Sequence, residues 1–295
     1  MKKVAFIVNP VSGVRGKARI ERYLAHFFHH HTGWMVEIYH TKGPDDTYEA
    51  ALRFKEEQVG LVVVVGGDGT VNQVARALVH GNVPMGIIPT GSGNGLARHL
   101  HIPHSISKAV EVLLQQYVVA IDSGAINGHP FFCTAGIGFE ANLANRFNTV
   151  TVRGFHSYIA LSAIECTRYH PEKYRIHIGD RVLEREAFLI TFANCSQWGN
   201  NIYIAPEASA TDGLLDMVVW KSTSLARIPF TAARLLAKNI NRSKYIENFC
   251  GPSFKIERER EGAVQYDGEH LLMGKELHVE VFPASLKVVV PCSCE

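Results

Sequence analysis

The chain has 295 residues, of which 46% are hydrophobic and 20% charged, and a formal net charge of +2. This composition is typical of a globular protein, and the length favours two domains over one. A charge so close to zero argues against a nucleic-acid-binding protein, because such proteins place many cations against phosphates. No apolar run reaches the ~20 residues that cross a bilayer, so we expect a cytoplasmic protein without a transmembrane segment. Its six cysteines lack zinc-ligand spacing and predict reduced thiols.

The first third of the chain alternates strand and helix patterns. The run 61–65 contains no polar residue, as in a strand buried on both faces of a parallel sheet. The hydrophobic pattern predicts strands at 4–8, 34–39, 61–65 and 85–89, and helices around 20–28, 48–54 and 71–78. We therefore predict a doubly wound α/β nucleotide-binding domain over 1–122, with 286–295 as a candidate return to it. Its ligands are expected at the carboxyl ends of the strands.

After Asp122 the pattern changes to short strands. Asn127-Gly128 lies between apolar flanks, which predicts a hairpin, and Gly179-Asp180 predicts another turn. We therefore predict a β-sandwich-like second domain over 123–285, with helical insertions at 159–167 and 225–239.

Three glycine-rich or polar turns follow strands of the first domain. They are Asn9-Pro10-Val11-Ser12-Gly13, Gly66-Gly67-Asp68-Gly69-Thr70 and Thr90-Gly91-Ser92-Gly93-Asn94. Each of them alone is also typical of an ordinary strand-to-helix turn. Together, at successive strand ends of one sheet, they predict a nucleotide-phosphate site, with Asp68 at the crown of its turn as a candidate Mg²⁺ ligand.

Two later segments have two interpretations each. The pair of carboxylates in Asp267-Gly268-Glu269 suits a catalytic loop, but Asp-Gly is also a common hairpin turn. The stretch 225–244 mixes apolar residues with cations, which suits either an anionic lipid surface or a core-packed helix with a solvated basic face. The residues alone leave both questions open.

The three turns resemble those of the diacylglycerol kinase catalytic-domain family, and most closely its soluble bacterial lipid kinases. The likeness continues in Ile204-Ala205-Pro206, Thr211-Asp212-Gly213 and Asp267-Gly268-Glu269. It implies a kinase that uses ATP and Mg²⁺ to phosphorylate the hydroxyl of diacylglycerol or a related lipid. It also implies that ATP binds in a cleft between the two domains, and that the enzyme meets its lipid by transient peripheral contact with a membrane. A homodimer is compatible with this family.

The resemblance also assigns roles to residues. Nucleotide contacts fall on Asn9, Pro10, Val11, Ser12, Gly13, Thr41, Gly66, Gly67, Asp68, Gly69, Thr70, Val71, Asn72, Thr90, Gly91, Ser92, Gly93 and Asn94. Asp68 would hold the catalytic metal, Glu269 would be the base, and Asp267 would be a metal ligand or a partner of the base. A structural metal is implied at Asp216, completed by backbone oxygens of Gly213 and Val218.

Two other functions remain as alternatives. One is a kinase for a soluble acceptor such as NAD, because the Gly-Gly-Asp-Gly element is shared with NAD kinases. The other is a catalytically silent regulator that binds nucleotide or lipid.

Overall fold

The computed structural model describes residues 3–10, 24, 33–148 and 155–292. The chain forms two compact units, Met1–Ile121 together with Ala284–Glu295, and Asp122–Pro283. It leaves the first unit within strand β5 (Val118–Ile126) and returns to it within strand β15 (Glu276–Val289). The second unit is therefore an insertion in the chain of the first.

The first unit contains a parallel sheet. Its strands are β1 (Lys3–Val8), β2 (Met35–His40), β3 (Leu61–Gly66) and β4 (Met85–Pro89). They run in the order β2-β1-β3-β4, and the end of β15 pairs with β4 through Val288 and Met85. Every residue of β3 is buried, as expected from its unbroken run of apolar residues.

Helices follow the strands of this unit. They are α1 (Pro44–Glu56), α2 (Asp68–Leu78), α3 (Gly95–His99) and α4 (Ile106–Gln115). Proline at the start of α1, acidic residues in its first turn and basic residues in its last are typical helix-end signals. The helix predicted at 20–28 lies outside the described residues except for Leu24, which is helical and buried.

The second unit is built from antiparallel strands. They include β6 (His129–Phe131), β7 (Thr134–Gly138), β8 (Glu172–Ile178), β9 (Arg181–Ala193), β10 (Leu215–Lys221), β11 (Ile246–Gly251), β12 (Ser253–Arg258), β13 (Gly262–Tyr266) and β14 (Glu269–Met273). The strand order is β14-β13-β7-β9-β8-β12-β15, with β10 pairing to β9 and β11 to β10. β9 is one long strand of 13 residues. Its first half pairs with β8 and its second with β7 and β10.

Helices of the second unit complete its fold. They are α5 (Phe139–Asn148), α6 (Phe155–Arg168) and α7 (Ile228–Leu236), with short 3₁₀ turns at Leu225–Arg227 and Ile240–Arg242. Both helical insertions predicted for this region are therefore present. Two hydrophobic clusters form its core, one around Phe192 and Phe254 and the other around Phe188 and Trp220. Across the described ranges, none of the helices is long and apolar enough to cross a membrane.

Candidate functional site

Two glycine-rich loops of the first unit touch through their backbones. A methyl group added at Gly91 would lie 2.6 Å from the Cα of Gly67, and one added at Gly66 would lie 2.5 Å from the Cβ of Thr70. The Thr90 N–H donates to the carbonyl of Gly66 at 2.8 Å. Glycine is required at both positions, because an added methyl group would meet the backbone of Gly67 in one case and the side chain of Thr70 in the other.

Asp68 joins these two loops. Its carboxylate accepts the backbone N–H of Asn94 at 2.8 Å and that of Gly95 at 2.6 Å, one on each oxygen. Asp68 is the first residue of α2, which starts three residues earlier than predicted, so it lies in a helical turn and not at the crown of a loop. A carboxylate has about four acceptor positions, so these two hydrogen bonds leave room for a cation.

The side chain of Asn94 closes the second loop. Its Oδ1 accepts the N–H of Gly91 at 3.0 Å, and its Nδ2 donates to the carbonyl of Gly91 at 2.7 Å. Asn94 has a φ of 49°, in the left-handed region that asparagine tolerates better than most residues. Nearby His104 lies 3.3 Å from Nδ2 of Asn94, and burial, followed by the charge of Arg98, lowers the pKa of His104. Asparagine thus fixes the shape of the loop.

Residues after β1 and β2 extend the same edge of the sheet. The Nδ2 of Asn9 donates to the Oγ1 of Thr70 at 3.0 Å, linking the end of β1 to the start of α2. Thr41, just after β2, is buried, as are Thr70 and Thr90. Three of the predicted nucleotide contacts lie outside the described residues: Val11, Ser12 and Gly13.

This edge fits a phosphate chain and a magnesium ion. Among the residues that the structure describes, no side chain caps the first turn of α2, and none lies within 4 Å of a methyl group added at Gly69. Backbone N–H groups at a helix start bind anions, and carboxylate and hydroxyl oxygens are the ligands that Mg²⁺ prefers. The predicted nucleotide contacts described here are therefore chemically suited to that role.

In the second unit, Asp267 and Gly268 form the turn between β13 and β14. Their φ values are 47° and 85°, and both being positive is typical of a two-residue type I′ hairpin turn. Glu269, half-buried, is the first residue of β14 and pairs with Tyr266 across the hairpin. The hairpin turn that the sequence suggested is therefore present, with Glu269 directly beside it.

The side chain of Asp267 anchors this turn to the segment before β7. Its Oδ2 accepts the N–H of Phe132 at 2.7 Å, and its Oδ1 accepts those of Cys133 and Thr134 at 2.8 and 3.0 Å. The N–H of Asp267 donates in turn to the carbonyl of Thr134 at 2.8 Å. Asp267 is thus held by backbone groups on one element, which suits positioning of the turn.

Arg258 fastens the open end of the same hairpin, and sequence analysis did not find it. Its buried guanidinium donates to the carbonyls of Gly262, Met273 and Gly274 at 2.9, 2.7 and 3.0 Å. Burial lowers the pKa of Arg258. Nothing in the local pattern separates this arginine from an exposed strand residue, because its partners are backbone carbonyls.

Glu140 is a second residue that sequence analysis gave no role. Its carboxyl occupies the space beside Gly136, where an added methyl group would overlap Oε1. The Oγ1 of Thr191 donates to Oε2 at 2.8 Å, and the Nε2 of Gln265 approaches Oε1 at 3.4 Å. Burial raises the pKa of Glu140 to about 8. The signal in the sequence was Gly136 itself, a glycine inside a strand that ends just before a glutamate.

The predicted structural metal site has less support. Asp216 accepts a hydrogen bond from the Sγ of Cys250 at 3.0 Å, and burial raises the pKa of Asp216. Gly213 donates its N–H to Asp122 at 2.7 Å, and Val218 lies within β10, between β9 and β11. Among the described residues, no three His, Cys, Asp or Glu side chains are grouped as metal ligands. A metal at Asp216 therefore stays a prediction.

Comparison with known families gives two matches. Residues 3–126 match the diacylglycerol kinase catalytic domain, and residues 133–290 match the YegS C-terminal NAD kinase beta sandwich-like domain. These two matches account for the α/β and β-sandwich-like classes predicted for the two parts of the chain.

Individual relatives agree with the families. The chain is 29% identical to the "Probable lipid kinase YegS" of Escherichia coli O127:H6 over 255 residues, which cover 83% of this chain and 84% of that one. The "Probable lipid kinase YegS-like" of Citrobacter koseri matches to the same extent.

Solved structures share the fold. A crystal structure from Bacillus anthracis str. Sterne, described as that of a diacylglycerol kinase, has a TM-score of 0.78 at 24% identity and covers 100% of this chain and 98% of that one. A further structure from that organism has a TM-score of 0.80 at 25% identity over 98% of each chain. The chain belongs to the diacylglycerol kinase catalytic-domain family, with a YegS-type C-terminal domain, and is a kinase, a phosphotransferase with an alcohol group as acceptor.

Proposed function

We propose that the protein is an ATP- and Mg²⁺-dependent lipid kinase that phosphorylates the hydroxyl of diacylglycerol or a related lipid. The observation that carries this proposal is the pair of interlocked glycine loops with Asp68 pinned at the start of α2. Such an arrangement brings backbone N–H groups and a carboxylate to one strand end, which is what a phosphate chain with its metal requires.

In this proposal the first unit holds the nucleotide. The N–H groups at the start of α2 and the hydroxyls of Thr70 and Thr90 bind phosphate oxygens. Asp68 keeps acceptor positions beside its two backbone hydrogen bonds, and these would hold a metal. When bound, Mg²⁺ neutralises charge on the transferring phosphate.

The second unit supplies the base. Glu269 takes the proton of the lipid hydroxyl as its oxygen forms a bond to the γ-phosphorus, and the bond to the leaving ADP oxygen breaks. Asp267 does not take the proton here. It fixes the hairpin that carries Glu269 through its three backbone contacts.

The acceptor is proposed to be a lipid because the relatives that match most of the chain are named lipid kinases. The enzyme would then meet its substrate by transient peripheral contact with a membrane. A soluble acceptor such as NAD is the second candidate, since the C-terminal match is described as NAD kinase-like.

A panel of acceptors tests the proposal. Pure protein is incubated with radiolabelled ATP and Mg²⁺, and with separate micelles of diacylglycerol, phosphatidylglycerol, sphingosine and ceramide, or with NAD. We expect label in one lipid, none in NAD, and none anywhere when Asp68→Asn replaces the wild type or a chelator removes the metal. Label in NAD alone would favour the second candidate, and ATP binding without transfer to any acceptor would favour a silent regulator.

A further inference from the structure

The segment from the 3₁₀ turn Leu225–Arg227 to Lys244 has two apolar faces. One face of α7 is buried in the second unit, where Ile228 and Leu235 join the cluster around Trp220. The opposite face is also apolar but exposed: Phe230 is 77% exposed, Leu236 63% and Leu225 52%. A core-packed helix with a solvated polar face would not expose these side chains, so packing within the unit does not account for them.

Helical spacing gathers the exposed apolar side chains. The exposed positions 226, 230, 233 and 237 recur at intervals of three or four residues, which places them on one side of the helix. Phe230 is the largest side chain of this row, whose other members are Ala226, Ala233 and Ala237. The exposed Leu225 and Leu236 each precede a member of the row in the sequence. We call the row and the cations beside it the α7 surface.

The charge of the α7 surface has one sign. Every charged residue between Asp216 and Glu247 is a cation: Lys221, Arg227, Arg234, Lys238, Arg242 and Lys244. Glu247, the next carboxylate along the chain, is engaged by Arg185 at 2.7 Å and by Lys221 at 3.1 Å. From other elements, Glu207 contacts the segment by accepting a hydrogen bond from Asn241 at 2.8 Å.

Four of these cations line one shallow cavity. Arg227, Arg234, Arg242 and Lys244 surround a volume of about 540 Å³, with Phe230 at its margin. In the part of the chain that the structure describes, neither Arg234 nor Arg242 pairs with a carboxylate. Arg227 and Lys244 lie against the ring of Tyr245, and this contact keeps their positive charge.

We propose that the α7 surface docks the protein on a bilayer of anionic phospholipid, with Phe230 and Leu236 entering the acyl boundary and the arginines binding headgroup phosphates. Exposed apolar side chains beside cations, with no acidic residue among them, complement a negatively charged lipid surface. A second copy of this chain is a poor occupant, because two such faces would bring like charges together. The docking rests on the proposed function in one respect: a lipid kinase must reach a membrane to bind its substrate.

Cosedimentation of the full chain with vesicles tests the docking. Wild-type protein is mixed with vesicles of phosphatidylcholine alone, or with vesicles in which phosphatidylglycerol replaces part of the phosphatidylcholine. We expect binding to the anionic vesicles only, and a loss of binding as salt is raised. Equal binding to both vesicles, or binding to neither, would overturn the proposal.

Two double variants separate the apolar and charged contributions. Arg234→Gln with Arg242→Gln is expected to weaken binding about 25-fold, at about fivefold for each charge. Phe230→Ser with Leu236→Ser is expected to weaken it at least about tenfold, because both side chains leave the acyl boundary. The matched control is Arg181→Gln with Val182→Ser, which removes an exposed cation and an exposed aliphatic side chain elsewhere in the unit.

The outcomes separate this proposal from the kinase itself. The substituted side chains are exposed, except Arg234, which is half-buried, and none belongs to the core. We therefore expect unfolding temperatures that match the wild type and unchanged activity on a short-chain diacylglycerol dissolved without vesicles. Wild-type vesicle binding by both α7 variants would overturn the docking and leave the kinase intact. Vesicle binding by the wild type without phosphorylation of any lipid would contradict the proposed kinase and leave the docking intact. A Phe230→Ser, Leu236→Ser variant that changes the oligomeric state but not vesicle binding would assign the surface to a second copy, and the docking would be wrong.

Discussion

The loop of Asp68 and the turn of Asp267 anchor a carboxylate in the same way but in different surroundings. Both side chains accept backbone N–H groups on both oxygens, two for Asp68 and three for Asp267. Around Asp68 the two loops are rich in glycine, and their backbones meet at Gly67 and Gly91. Around Asp267 the turn needs only two residues with positive φ, and the rest of the hairpin has ordinary side chains. We infer that the first region is built around a ligand and the second around the placement of one side chain.

Replacing Glu269 gives the largest expected effect and tests the second half of this inference. We expect Glu269→Gln to lower kcat about a thousandfold, as for loss of a general base, while the free energy of unfolding changes by less than about 0.5 kcal/mol. Steady-state kinetics and urea unfolding measure the two quantities. Exposed Glu280 in β15 provides the control, since Glu280→Gln should leave both unchanged. Near-normal turnover in Glu269→Gln would show that Glu269 is not the general base.

Glu140 lies beside β13, the strand that leads to the Asp267 turn, where it contacts Gln265. The pKa of Glu140 is raised from 4.5 to about 8, so the folded protein keeps a proton that the unfolded chain has lost. Stability should therefore fall as pH rises from about 4.5 to about 8, by roughly 1 kcal/mol per pH unit.

The side chain of the isosteric variant Glu140→Gln cannot ionise. The free energy of unfolding of this variant should therefore not fall as pH rises through this range. Urea unfolding at a series of pH values measures it, with Glu280→Gln again as control. Parallel curves for the wild type and Glu140→Gln would show that Glu140 is ionised in the folded protein.

The two anchors can be compared directly by removing their charge. We expect Asp267→Asn to lower the free energy of unfolding by about 3 kcal/mol and Asp68→Asn to lower it by about 2 kcal/mol. In each variant the amide places an NH₂ donor where a carboxylate oxygen accepted backbone N–H groups, so some of these N–H groups lose their acceptor. Thermal and urea unfolding of both variants give the difference. An equal or reversed order would mean that the number of backbone contacts does not set the strength of these anchors.

Glycine substitutions test the first half of the inference, with an expected change no larger than that of Asp68→Asn. Gly91→Ala should cost about 2 kcal/mol, because its methyl group would lie 2.6 Å from the Cα of Gly67 and the two loops must separate. Gly69→Ala is the matched control, since its methyl group meets nothing within 4 Å and alanine favours the helix by about 1 kcal/mol. Similar stabilities for these two variants would contradict the close approach of the loops.

Sequence patterns predicted the features that depend on neighbouring residues. The buried strand β3 and the hairpin turns at Asn127-Gly128 and Asp267-Gly268 follow from local composition, and all are present. The start of α2 was placed too late, because Asp68, Gly69 and Thr70 are poor helix formers whose first-turn position depends on the loop beside them. Local preference was overridden there by tertiary contacts.

Residues that act across long separations were missed. Glu140 reaches Thr191 and Gln265, which are distant in the chain, and Arg258 binds carbonyls that no side-chain pattern reveals. The family resemblance supplied Asp267 and Glu269 as a pair, but the three N–H groups that hold Asp267 come from a segment more than a hundred residues earlier. Roles that depend on backbone partners at such distances have no signature in the local sequence.

The insertion of one unit within the other has a consequence for biosynthesis. A ribosome releases 122–283 before 284–290, so the inserted unit is fully synthesised while the first sheet still lacks its last parallel neighbour. That neighbour brings the pairing of Val288 with Met85 and the hydrogen bond from His80 N–H to the carbonyl of Ser285 at 2.7 Å. The unit whose synthesis begins first is therefore completed last, because its parallel sheet gains the end of β15 only after residues 284–290 have been synthesised.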